Sequence, residues 1–197
     1  MKERVILGFD PGSWNFGFAA IACQGEKVRL LEFGVIQLSA KLERLADRLH
    51  FIHQKLEALF ETHKPDVASI EETFYHKNVK SVAILGHARA IGLLVSAKYG
   101  AEIKEFSPRK IKLSVTGQGS ASKEAVQRMV CRIVGVSESK LSLDSTDALA
   151  AALCAHYEMT RALKYPETLP KKIKTPKRRT SSRWTLEDLQ KTGLKLK

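Results

Sequence analysis

Between Val5 and Leu38 the apolar residues recur in three consecutive runs with strand periodicity, and beyond Lys41 such runs return only with helical segments between them. No other feature of the chain constrains its fold as much. The first run, 5–9, is apolar on both faces, as a strand covered on both sides must be. The runs at 17–23 and 28–38 alternate, and with the first they predict an antiparallel meander. Leu42, Leu45, Leu49, Ile52, Leu56 and Leu59 recur at three- and four-residue steps, so 41–62 is expected to be an amphipathic helix ended by Pro65. A short parallel strand at 67–70, a helix at 81–99, a strand at 101–106 and helices at 108–115, 123–134 and 145–157 follow. Three hairpin strands and then alternating strands and helices predict an α/β fold, a mixed five-stranded sheet with helices on both faces.

The first run stops at Asp10, Pro11 and Gly12, which puts an acid where a strand meets a turn. In open sheets of this kind ligands bind in the crevice outside the carboxyl ends of the strands. Glu71 and Glu72 end the strand at 67–70, while Asp144 and Asp147, three apart at the start of the last helix, project from one face. Four carboxylates from distant parts of the chain can therefore converge. Such a cluster repels itself and needs divalent cations, and an all-oxygen donor set suits Mg²⁺ or Mn²⁺. Each acid also has a local use. Asp10 before Pro-Gly can start a turn, Asp144 can cap a helix whose dipole also favours Asp147, and Glu71 and Glu72 can be solvated loop acids.

Charge points to a polyanionic partner. The net charge is +12, but residues 161–197 hold 12 Lys/Arg against 3 Asp/Glu, a net +9, which leaves 1–160 at +3. Within that body, 104–132 carries 7 basic and 2 acidic residues, a local basic zone on an otherwise ordinary surface. With 197 residues and 44% hydrophobic content the chain can bury one good core, so one domain is expected at 1–160, followed by a flexible basic tail at 161–197. Cys23, Cys131 and Cys154 are widely spaced in apolar segments and predict buried free thiols rather than a disulfide or zinc site. No apolar run approaches a membrane span and no signal-peptide pattern opens the chain, so a cytoplasmic protein without membrane contact is expected. GQGS at 117–120 lacks the ending of a phosphate-binding P-loop, and His50 and His53 lack ligand partners.

Five blocks carry a resemblance: FDPGS at 9–13, ASIEETFYHKN at 68–78, LGHARAIG at 85–92, SPRKIKLSVTGQGSASKEAVQRMV at 107–130 and DSTDALAAAL at 144–153. In order and spacing they resemble the RuvC family of Holliday-junction resolvases, over about residues 4–157. The resemblance implies a ribonuclease H-like fold, a homodimer and two-metal, Mg²⁺-dependent hydrolysis of symmetric phosphodiesters at a four-way DNA junction, in recombination and repair. It selects Glu71 over Glu72 and, with Asp10, Asp144 and Asp147, makes these the catalytic, metal-binding acids. Lys112 and Lys123 match basic residues that the family places near the scissile phosphate, and Lys123 opens a predicted helix, where backbone N–H groups also favour phosphate. Arg109 and Lys110 of the same basic zone are expected DNA contacts. Phe74, in a loop after a strand end, suits a wedge that stacks on an unpaired base.

The helix at 81–99, with Ala83, Gly86, Ala88, Ala90 and Gly92, is implied as part of the dimer interface, and a branch-migration helicase complex of the RuvA–RuvB type as a partner. The chain departs from the family pattern after DPGS, where Trp14 and Phe16 stand in place of an Arg and a small residue or Thr. Actin-like and sugar-kinase ATPases also open with a strand, Asp and Gly, but they need two such lobes. Other ribonuclease H-like nucleases lack the LGHARAIG and SPRKIK blocks, and a non-catalytic junction-binding protein would not nick DNA.

Overall fold

Five strands form one sheet: β1 (Arg4–Asp10), β2 (Asn15–Gln24), β3 (Lys27–Gln37), β4 (Val67–Glu71) and β5 (Glu102–Phe106), in the spatial order β3-β2-β1-β4-β5. The strand that ends in Asp10 therefore lies at the centre. β1 pairs antiparallel with β2, and β2 with β3, which is the expected meander; β4 joins the other side of β1 in parallel and β5 extends it in parallel. This computed structural model describes residues 2–12, 14–39, 42–72 and 79–164. Phe74 and the chain from 165 onward lie outside the described residues.

Helices cover both faces. α1 (Leu45–His63) and α2 (Val79–Lys98) close one side, where Leu7, Phe9, Phe16 and Ile70 of the sheet meet Ile52, Leu56, Phe60 and Val95. α3 (Pro108–Thr116), α4 (Lys123–Val134) and α5 (Leu143–Lys164) close the other, where Ile6, Ala19, Ile21 and Val67 meet Ile111, Val126, Val130, Leu149 and Leu153. The two covered faces explain why 5–9 is apolar throughout instead of alternating. α5 lies on the sheet with α3 and α4 packed over its outer side, so every residue from Ala148 to Ala155 is buried. A helix that is apolar all round must be covered all round.

Two helix ends differ most from the sequence expectation. α1 starts at Leu45 rather than at residue 41, and Arg44 caps it without a side-chain hydrogen bond. It ends where Lys64 takes a left-handed conformation (φ 46°), its N–H bonded to Phe60 O, immediately before Pro65. α5 continues beyond residue 157 to Lys164, because Tyr157 and Met159 extend its apolar stripe onto the core. All three cysteines are buried free thiols. Among the described residues no helix is long and apolar enough to cross a membrane.

Candidate active site

Strand alternation decides which acids meet. On β1, Leu7 and Phe9 face α1 and α2, whereas Ile6 faces α5, and Gly8 and Asp10 follow it by the two-residue period. On β4, Ala68 and Ile70 belong to the α1–α2 side; Val67 faces α5, and the Ser69 hydroxyl donates to Ala151 O of α5 at 2.7 Å. Glu71 shares that parity and Glu72 does not. The structure thus separates two adjacent glutamates that composition leaves equivalent.

Two glycines let α5 approach this face. A β-carbon on Gly8 would lie 2.1 Å from Ala148 O and 2.8 Å from Ala152 N. One on Gly17, which pairs with Asp10 across β1 and β2, would lie 2.2 Å from Asp144 O and 3.3 Å from the Asp10 β-carbon. Backbone contact at Gly17 therefore seats the first turn of α5 beside the end of β1. That turn is capped by Ser142, whose hydroxyl accepts from Ser145 N–H at 3.3 Å, so Asp144 is not the cap. Sequence reasoning passed over Gly8, Gly17, Ser69 and Ser142. The signal for the first three was small residues on strand faces that meet an alanine-rich helix.

The acids feel one another. The Asp10 carboxyl is pushed up to about 7, first by burial and then by the charges of Asp147 and Asp144, with Lys123 opposing. Glu71 is likewise pushed up to about 7, by burial and then by Asp10 and Asp147, with Lys123 and Lys112 opposing. Lys123, the first residue of α4, places Nζ 2.8 Å from Asp147 Oδ2, and that bond holds the ammonium above its ordinary pKa. Lys112 Nζ donates to Ala121 O at 2.8 Å and lines a groove of about 380 Å³ with Pro108, Arg109, Gly119 and Ser120.

The structure therefore brings together Asp10, Glu71, Asp144, Asp147 and Lys123, with Lys112 close enough to influence Glu71. Arg109 lines the neighbouring groove. Lys110 is not brought to the acids: it pairs with Glu158 and lies over the Phe106 ring, 4.5 Å from its centroid. Glu158 is 11 residues along α5 from Asp147, about 16 Å at the helical rise. Phe16 is buried against Phe9, with ring centroids 5.6 Å apart, whereas Trp14 is exposed.

The donor set suits a hard cation, because burial and mutual repulsion make four nearby carboxylates costly until a positive charge joins them. Among the described residues no group of three His, Cys, Asp or Glu is gathered closely enough to hold an ion as a finished set. Asp147 turns instead to Lys123, the positive charge within the cluster.

Comparison with known proteins shows the family to which the chain belongs. The family described as crossover junction endodeoxyribonuclease RuvC matches residues 6–156. The crossover junction endodeoxyribonuclease RuvC of Cytophaga hutchinsonii is 39% identical over 156 residues, 79% of this chain and 78% of that protein. That of Ruminiclostridium cellulolyticum is 37% identical over 150 residues, 76% and 90% of the two chains. Among solved structures, T. thermophilus RuvC in complex with Holliday junction substrate superposes with a TM-score of 0.76 at 28% identity, over 81% of this chain and 96% of that one. The yeast mitochondrial Holliday junction resolvase shares the fold, with a TM-score of 0.59 at 15% identity, over 83% and 80% of the two chains.

Proposed function

The chain belongs to the RuvC family of crossover junction endodeoxyribonucleases, and on that premise we infer that it is a metal-dependent nuclease that resolves four-way DNA junctions in recombination and repair. The observation that carries the reading is the convergence of Asp10, Glu71, Asp144 and Asp147 where the central strand ends, with Lys123 Nζ 2.8 Å from Asp147.

We assign Asp10, Glu71, Asp144 and Asp147 as the ligands of about two Mg²⁺ ions, for which Mn²⁺ can substitute. Such a pair of ions, when bound, supplies a more acidic water and neutralises the leaving 3′ oxygen. The chain's own residues prepare that chemistry. Asp10 and Glu71 must give up protons that they hold near neutral pH, so proton release accompanies metal binding. Lys123 and Lys112 meet the charge that grows on the phosphoryl oxygens, and their bonds to Asp147 and Ala121 O hold them in place before substrate arrives. The groove beside Arg109 takes the neighbouring DNA backbone. Phe74 acts as the wedge at the junction, and Lys110 reaches DNA only by leaving Glu158.

A junction has two scissile strands related by a twofold axis, so we further propose a homodimer paired through α2. Leu94 of that helix is 59% exposed, and Gly86 has open space where a side chain would be. The remaining assignments are a nuclease domain at 1–160, a basic tail at 161–197 that binds DNA, and delivery of junctions by a RuvA–RuvB-type complex.

The deciding experiment incubates the purified chain with an end-labelled synthetic four-way junction in Mg²⁺. Paired, symmetric nicks that vanish with chelator and are absent on linear duplex are expected. Tight junction binding without nicking would make the chain a non-catalytic junction-binding protein.

A further inference from the structure

Trp14 is where the first loop leaves the family pattern, and the function above gives it no role. It stands four residues after Asp10, immediately before the strand that leaves the crevice rim. An indole placed there for stability would be buried, as Phe16 is two residues later, yet Trp14 is 51% exposed. Its backbone is nevertheless fixed, since its carbonyl accepts the Leu38 N–H at 2.9 Å. Arg48 of α1 lies against the ring, its guanidinium carbon 4.6 Å from the centroid. A cation–π contact at an exposed site orients a ring but contributes less than burying it would.

Arg48 is also incompletely partnered. Its Nε is buried and makes no hydrogen bond, and the neighbouring Asp47 turns to Arg44 at 3.7 Å. Among the described residues no carboxylate pairs with it. A guanidinium over an aromatic ring, with no carboxylate paired to it among the described residues, is a ready donor to phosphate, and an exposed indole is a stacking surface for a base. The two observations are independent and point to the same ligand, a nucleotide.

We propose that Trp14 and Arg48 form a nucleotide platform on the α1 side of the crevice, the indole stacking on a base of the strand that enters the acid cluster and the guanidinium holding an adjacent phosphate. The inference rests on the junction-cutting reading. It holds the strand on the side of Asp10 opposite the Arg109 and Lys112 groove, because α1 and α3 cover opposite faces of the sheet. Trp14 and Arg48 are then positioning residues that select a strand with an unstacked base over intact duplex.

The test uses the full chain carrying Trp184→Phe, so that Trp14 is the remaining indole of the two. Four-way junction is added in Ca²⁺, and indole emission is followed beside the anisotropy of the labelled junction. Emission should fall along the same saturation curve as binding. In the same background Trp14→Ala should weaken junction binding by roughly 5- to 20-fold, the range expected for one stacked base at a rim, with Trp14→Phe retaining most of it. Arg48→Ala should lower the salt slope by about one phosphate contact. Unchanged emission at saturation overturns the platform, as does a Trp14→Ala protein that loses melting temperature while keeping its affinity. Where Trp14→Ala does not fold, the emission of the intact indole and the affinity of Trp14→Phe decide. A wild-type chain that does not nick junctions in Mg²⁺ refutes the underlying function, whereas normal nicking with unmoved emission refutes the platform alone.

Discussion

At the scale of single residues the candidate site is a balance of buried charge. Asp10→Asn removes a proposed metal ligand and no cation, so cleavage should fall by several kcal/mol of transition-state stabilisation, roughly 10³-fold, with junction affinity almost unchanged. Full activity of that variant in Mg²⁺ would sink the assignment. Because Asp10 and Glu71 titrate near 7 in the fold and near about 4 when unfolded, the native state binds more protons between those values. Stability of the chelated protein should therefore fall as pH rises from about 4 to about 7. We expect a melting temperature at pH 8 several degrees below that at pH 5.5, a gap that Mg²⁺ narrows and that Asp10→Asn with Glu71→Gln flattens. A gap of the same size in that double variant would place its cause elsewhere. Lys123→Ala should reduce turnover more than affinity, since the growing charge of the transition state feels the cation more than the ground state does. Equal losses in single-turnover and binding measurements would make Lys123 an ordinary phosphate contact.

At the scale of elements, the close seating of α5 on the sheet makes the cluster. Gly8 sits under the second turn of the helix and Gly17 under the first, so equal additions of one methyl group should have unequal consequences. Gly8→Ala is expected to cost about 1 to 3 kcal/mol by overpacking and to act chiefly on the melting temperature. Gly17→Ala pushes directly on the Asp144 carbonyl and on the side of Asp10, so it should abolish cleavage at temperatures where the protein remains folded. Circular dichroism beside junction cleavage separates the two. Retained cleavage in Gly17→Ala would show that the first turn of α5 tolerates displacement. Much of this element-level design was legible in the sequence. The alanine-rich run at 148–155 and its acids three apart announce a buried helix with one charged end, but Gly17 announces only a strand residue until its partner across the fold is known.

At the scale of the whole molecule, charge divides the chain unevenly. Residues 165–197 hold 10 Lys/Arg against 3 Asp/Glu, a net +7, which is more than half of the total of +12. Each phosphate neutralised contributes about −0.9 to the slope of log affinity against log salt, so an arm with several contacts would dominate that slope. Truncation after Lys164, where α5 ends, should leave a folded nuclease that still cuts junctions at low salt. It should bind all DNA more weakly, with a shallower salt slope and better relative discrimination for junctions over duplex. An unchanged slope would make the segment a docking element for a protein partner instead.

The sequence by itself determined the order of strands and helices, the four acids at the ends of β1, β4 and the start of α5, and the family. These are legible because periodicity, turn chemistry and motif order are written in neighbouring residues. Periodicity leaves Glu71 and Glu72 equivalent and the family resemblance chooses Glu71; the physical reason, a face shared with Asp10, comes only from the tertiary structure, since it depends on which helices cover which side of β4. The tertiary structure likewise decided that Ser142 caps α5, that Lys110 pairs with Glu158 48 residues away, and that Trp14 meets Arg48. The cap is local, but the other two contacts join residues far apart in the chain. Their distances are set by how closely helices and sheet can pack, which at Gly8 and Gly17 is a matter of a single missing methyl group.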